Sequence, residues 1–249
     1  MDMKPVQRFM KQRYLVPEKM DDPGLCPVEH RRALAGLRRI NRLSGTATQL
    51  QREILRIASH RPDHRWQILD VGCADGEVAF ALSHLLAGRM DYAITGWDMS
   101  SVAIASAQNR LESRTDRAAS SLRFEVRNLF DELATTRGEP PFDLVYCTLL
   151  LHHFSDEEAV EILSAMQRLA RRAVLVDDLQ RTHLGWWLAV AGCRILSRSP
   201  VVHFDGPQSV RAAFSCDEAL LLAERAGWDK PTLRRHWPER YMLCWEAAS

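Results

Sequence analysis

Residues Ile68-Leu69-Asp70-Val71-Gly72-Cys73-Ala74-Asp75-Gly76 decide the fold. The stretch up to Val71 reads as a buried strand, Gly72 breaks it, and Glu77 to Leu86 then reads as a helix. A strand, glycine turn and helix in this order let a small cofactor approach the backbone at the carboxyl end of a parallel strand. Gly72 and Gly76 carry no Cβ to hold a ligand off, and an acid, Asp70, stands two positions before the first glycine. The run Gly72 to Glu77 fails the G-x-G-x-x-G spacing of a dinucleotide fingerprint, which needs a bare helix start for pyrophosphate. Acids near the turn suit a cationic ligand better. An ordinary strand-turn-helix with no ligand is the competing reading of this nonamer alone.

The segments that follow repeat the unit. Tyr92 to Trp97 reads as a second strand ended by Asp98, where an acid can accept both hydroxyls of a ribose. Met99-Ser100 and a helix from Ser101 to Leu111 come next. Leu122 to Arg127 reads as a third strand ending at Asn128, whose side-chain oxygen is an acceptor. Phe142 to Thr148 reads as a fourth, followed by Leu149-Leu150-Leu151-His152-His153-Phe154. Ser155 is an expected N-cap, Glu158 would complete a capping box, and the helix should run to Leu169 with Arg171 and Arg172 at its negative end. Ala173 to Asp178 reads as a fifth strand, Asp217 to Ala226 as a helix, and Thr232 to Trp237 with Tyr241 to Glu246 as a closing hairpin. Strands alternating with helices imply a parallel sheet covered on both faces.

Asp70-x-Gly72-x-Ala74-x-Gly76, Asp98 after the second strand, Asn128 after the third and the His152-His153 turn after the fourth resemble the class I S-adenosylmethionine (SAM) methyltransferases of small-molecule type. The resemblance covers roughly Trp66 to Glu246; Ala74 stands where the family pattern has its second glycine, and Asn128 where Asp is common. It implies a doubly wound Rossmann-like α/β fold, with a seven-stranded, mostly parallel sheet and one antiparallel strand near the C-terminus. It implies SAM as cofactor, held by Asp70, Gly72, Cys73, Ala74, Gly76, Asp98, Met99, Asn128, Leu129 and Thr148. Asp177-Asp178-Leu179-Gln180-Arg181 and His203 to Arg211 further resemble bacterial methyltransferases of polyketide or phenolic-lipid pathways, which implies a phenolic or quinone-like acceptor.

Two regions outside that core should choose the acceptor. Residues 1–64 are expected to form an N-terminal helical cap on a core of 65–249. Pro27 to Leu43 is a basic helix with Arg31, Arg32, Arg38, Arg39 and Arg42, while Leu34, Leu37 and Ile40 could pack inward; Thr46 to Ala58 is a second helix. Its arginines read either as a solvated face or as capture of an acidic acceptor or anionic surface. The second region is expected to be a helical acceptor-side insertion at about 179–215. Its apolar run, Leu184 to Cys193, is too short to span a bilayer and reads as a lid, a buried helix or a membrane-surface contact. Arg181, Trp186 and Trp187 are its candidate substrate contacts, the indoles offering broad area to an aromatic or lipid-like body.

A phenol would gain from a base against its hydroxyl. His153 and His183 are the first candidates, with His152 next; each also reads as a structural histidine bonded to backbone. Adjacent histidines in an extended turn point opposite ways, so only one of His152 and His153 is expected to face the pocket. Asp177 and Asp178 are expected to orient a histidine or cap a segment, and no metal is expected. Macromolecular (RNA or protein) methylation and a non-catalytic SAM-binding module remain open alternatives. A net charge of +1 over 249 residues argues against a broad nucleic-acid footprint. Six scattered cysteines without a C-x-x-C pair suggest reduced thiols, and no apolar leader or span is present, so a cytoplasmic monomer or homodimer is expected.

Overall fold

The structure is a computed structural model that describes residues 10–22, 24–114, 118–131 and 140–248. The first nine residues of the expected cap therefore lie outside the described residues. Seven strands form one sheet in the order β3-β2-β1-β4-β5-β7-β6. They are β1 (Arg65–Val71), β2 (Asp91–Asp98), β3 (Leu122–Val126), β4 (Phe142–Thr148), β5 (Ala170–Leu179), β6 (Thr232–His236) and β7 (Arg240–Glu246). The first five are parallel, and β7 runs antiparallel between β5 and β6, as the sequence leads one to expect.

Parallel strands buried on both faces read as near-continuous apolar runs, and strand parity sorts those residues between two cores. Ile68, Ile94, Leu144, Tyr146 and Leu175 face one core; Leu69, Val71, Val145, Cys147 and Val176 face the other. The first core is closed by α2 (Thr46–Ala58), α3 (Glu77–Leu86) and α4 (Ser101–Glu112). The second is closed by α5 (Asp156–Leu169) and α8 (Cys216–Arg225). Both α5 and α8 begin in complete capping boxes, Ser155 with Glu158 and Ser215 with Glu218.

Three helices roof the carboxyl ends of the strands: α1 (Pro27–Ser44), α6 (His183–Leu196) and α7 (Pro200–Ala212). Ala33, Cys193, Val201 and Val202 form their small apolar core, with Leu37 and Ile40 packed on it. The helices approach closely at two glycines. A Cβ at Gly36 would run into Ser197, and one at Gly206 into the Cys193 sulfur. Among the described residues no helix is long and apolar enough to cross a membrane.

One local expectation changes. The strand expected from Ala173 begins at Ala170, directly after α5, so Arg171 and Arg172 lie in the strand rather than at the helix terminus. The fully buried Asp143 draws both guanidinium groups, at 3.8 and 3.6 Å. The second half of the insertion is the helix α7, which accommodates Pro207 inside it.

Candidate functional site

Strand order reverses between β1 and β4, so the loops leaving their carboxyl ends diverge and leave a crevice. A cavity of about 980 Å³ fills it. Gly72, Cys73 and Ala74 after β1, Asp98 and Met99 after β2, Asn128 and Leu129 after β3, and Thr148 after β4 stand on one side. Leu34, Leu37 and Ile40 of α1 and Leu188, Gly192 and Leu196 of α6 form an apolar roof opposite. Arg38 bonds Asp75 at 2.7 Å and Arg42 lies 3.5 Å from Glu77, tying α1 to the glycine turn.

The turn is held from β2. The Ala74 amide donates to Asp98 Oδ2 and the Ser100 amide to Asp98 Oδ1, both at 2.8 Å. Ala74 takes the left-handed region, φ 47°, where a glycine would sit without strain. Gly72 and Gly76 also have positive φ, yet their missing Cβ atoms make room for protein. A Cβ at Gly72 would lie 2.8 Å from Leu150, and one at Gly76 would lie 2.6 Å from the Phe124 ring. Gly76 is thus behind the cavity wall, as is Asp70. Neither Asp70 oxygen meets a donor at hydrogen-bonding geometry among the described residues, and burial pushes its carboxyl up to about 8, the Tyr146 hydroxyl pulling the other way. A buried carboxylate without compensation suits a cation placed against the turn. The Asn128 side-chain oxygen accepts from the Phe130 amide at 3.0 Å, retains a second lone pair, and its residue lines the cavity.

At the far end of the cavity the chain after β4 winds into a short 3₁₀ turn, Leu151–His153, rather than the extended turn expected. Both histidines consequently reach the cavity, their rings 4.3 Å apart and tilted by 32°. His152, 4% exposed, donates its Nδ1 proton to Asp178 Oδ1 at 2.7 Å, and its amide donates to Asp178 Oδ2 at 3.2 Å. Burial pushes the Asp178 carboxyl up. The charge and hydrogen bond of His152, with the Leu179 amide, outweigh this and leave it below its ordinary value. The other imidazole nitrogen, Nε2, lies 3.8 Å from Glu18. Glu18, His152 and His153 each bring one ligand atom within 4.8 Å of the others. Asp177 turns away from the histidine pair and accepts from Arg240 at 3.2 Å.

Four expected residues stand off this wall. His183 is exposed at the start of α6. Trp186 and Trp187 pack edge-to-face, 4.9 Å apart, and Trp187 is 63% exposed. The buried Arg181 bonds Glu218 at 2.6 and 2.8 Å and donates to the carbonyls of Met10 and Ala213. Its place is that of a tie between α8, the chain before α8 and the N-terminal segment. Conversely, Glu18 had no mark in the sequence; Asp205 on α7 brings its segment in by accepting from the Lys19 and Met20 amides.

Comparison with known proteins agrees with this geometry. Residues 69–173 match the family model described as "Methyltransferase domain". No curated protein matches the chain. Among solved structures, a candidate O-methyltransferase of Nostoc punctiforme PCC 73102 superposes with a TM-score of 0.60 at 14% identity, over 99% of this chain and 66% of that one. The chain thus spans slightly less than two thirds of that protein. Magnesium protoporphyrin IX methyltransferase of Synechocystis PCC 6803 with bound SAH aligns at TM-score 0.54 and 15% identity, over 92% of each chain. The plantazolicin methyltransferase BamL, solved with a substrate analogue and SAH, aligns at 0.59 and 14%, over 88% of this chain and 87% of that one. At these identities the likeness is one of fold.

Proposed function

We propose that this chain, whose residues 69–173 match a methyltransferase-domain model, is a class I SAM-dependent methyltransferase that methylates the hydroxyl of a phenolic, polyketide or quinone-like small molecule with an apolar body. One observation carries this reading: His152, backed by the buried Asp178, lines the same cavity as the glycine turn, under an apolar roof. When bound, SAM supplies an electrophilic methyl carbon whose bond to sulfur breaks as its bond to the acceptor oxygen forms. Asp98 would accept the ribose hydroxyls, Asn128 would face the adenine, and Asp70, behind the wall, would compensate the ammonium through water or a shift of the turn. Asp178 fixes the tautomer of His152, leaving Nε2 to accept the phenolic proton as the oxygen attacks. The roof excludes water and aligns the acceptor with the methyl group.

A second reading rests on the same residues. Glu18, His152 and His153 could hold a divalent ion that binds the acceptor as phenolate, with Asp178 behind His152 as the outer partner such a ligand needs. A chelator separates the two, since a histidine base keeps its rate after metal is stripped.

The deciding experiment is calorimetric titration with S-adenosylhomocysteine, followed by methyl transfer from labelled SAM to alkylated phenols. Asp98→Ala should weaken cofactor binding about 10- to 100-fold through lost charge-assisted hydrogen bonds. No binding by the folded wild-type protein rejects the proposal.

A further inference from the structure

We propose that the outer face of α6, with the neighbouring arginines of α1, seats the protein on an anionic lipid bilayer with the cavity mouth against the membrane. Leu184, Trp187, Ala191 and Ile195 fall at spacings of three and four along α6, so they share one stripe, and all are exposed. Ile195 is 80% exposed. The adjoining side of the helix, with Leu188 and Gly192, faces the cavity, and Ala191 and Ile195 of the stripe stand at its edge. Large apolar side chains left exposed beside a cavity mouth form a surface without a partner in this chain.

Charge names the partner. Between Asp178 and Asp205 the sequence has no acidic residue, whereas Arg194 and Arg198 are exposed in that interval. Arg32, Arg39 and Arg198 converge on a surface groove beside Ile195 and Leu196. Among the described residues none of these three meets a carboxylate; Arg39 donates only to the Leu196 carbonyl. The inner arginines of the same helix behave differently, since Arg38 and Arg42 are matched to Asp75 and Glu77. An apolar stripe bordered by unmatched guanidinium groups suits phosphate headgroups with acyl chains beneath them.

The surface also adjoins the cavity mouth. Ile195 lines both the groove and the cavity, and two other exposed apolar residues, Leu43 and Trp237, stand on the cavity rim. An acceptor dissolved in the bilayer would reach the apolar roof without crossing water. The docking itself does not depend on methyl transfer and is tested without it.

The test is co-sedimentation of the full-length protein with phosphatidylcholine vesicles, with and without phosphatidylglycerol, alongside sedimentation equilibrium without lipid. Wild-type protein should bind the anionic vesicles and release as salt is raised. Trp187→Ala should lower partitioning about tenfold. Arg32→Glu with Arg198→Glu should lower it by about tenfold or more; both arginines are exposed and unbonded, so far-ultraviolet circular dichroism should stay unchanged. Equal binding to neutral vesicles, or none to either, overturns the proposal. If Trp187→Ala instead dissolves a dimer of a protein that ignores vesicles, the face is a contact between copies and the proposal fails.

Discussion

Asp178 grips His152 twice, through the ring Nδ1 at 2.7 Å and through the backbone amide at 3.2 Å. Ring and backbone are therefore fixed by one carboxylate at the end of β5. Under the proposed function His152→Gln should cut kcat by about 10² to 10⁴ while leaving S-adenosylhomocysteine affinity intact. Asp178→Asn should lower kcat less and shift the acidic limb of its pH profile, because the tautomer and basicity of His152 would change. Steady-state kinetics across pH, paired with calorimetry, checks both; an unchanged rate in His152→Gln removes the histidine from the chemistry.

Asp70 offers a proton-counting test. Its carboxyl is pushed by burial up to about 8, whereas an unfolded Asp titrates near 3.9. Between those values the folded state keeps a proton the unfolded state has lost, so this group makes stability fall as pH rises from about 4 to about 8. A ligand ammonium against Asp70 favours its ionised form. Cofactor binding at neutral pH should release close to one proton, measured as a dependence of binding enthalpy on buffer ionisation heat. Asp70→Asn should abolish the release and flatten that part of the stability profile.

Ala74 carries the strain of a left-handed backbone at φ 47°. Ala74→Gly should relieve it and stabilise the fold by about 0.5–1 kcal/mol, net of the greater freedom of glycine in the unfolded chain. Urea denaturation reads the difference. The Asp98 bond to the amide at this position is kept, so cofactor affinity should hold.

Arg240 is 2% exposed and joins Asp177 on β5 to Thr46, at the start of α2, at 3.2 and 2.6 Å. Arg240→Met removes one of two basic neighbours of the buried Asp177 carboxylate, His236 Nε2 at 2.7 Å remaining, and should cost about 1–3 kcal/mol in denaturant unfolding. Restoring the balance with Asp177→Asn in the same chain should recover part of the loss.

The sheet was legible because its strands are apolar runs set between glycine turns and capped helices, all of them local signals. Ser155 with Glu158 is the clearest, a cap written in adjacent residues and found as such. The acidic pair after β5 was readable as a support for a histidine, and Asp178 takes that part. What sequence could not show depends on distance along the chain. Glu18 reaches His152 only because α7 holds its segment. The two histidines share the cavity because the turn coils into a 3₁₀ helix, a choice made by packing rather than by residue type. Gly206 and Pro207 signal a break locally, yet α7 runs through both, and Gly206 lets the helix pass the Cys193 sulfur.

The roof gathers α1 from one end of the chain and α6 and α7 from the other, around a core of only a few apolar side chains. Its closure must wait until most of the polypeptide has emerged, whereas β1, α3 and β2 are neighbours in sequence and can pair early. So small a cluster also parts at lower free energy than the two cores of the sheet. The roof can therefore unlatch while the sheet stays folded, and under the proposed function an acceptor would enter without wider loosening of the protein.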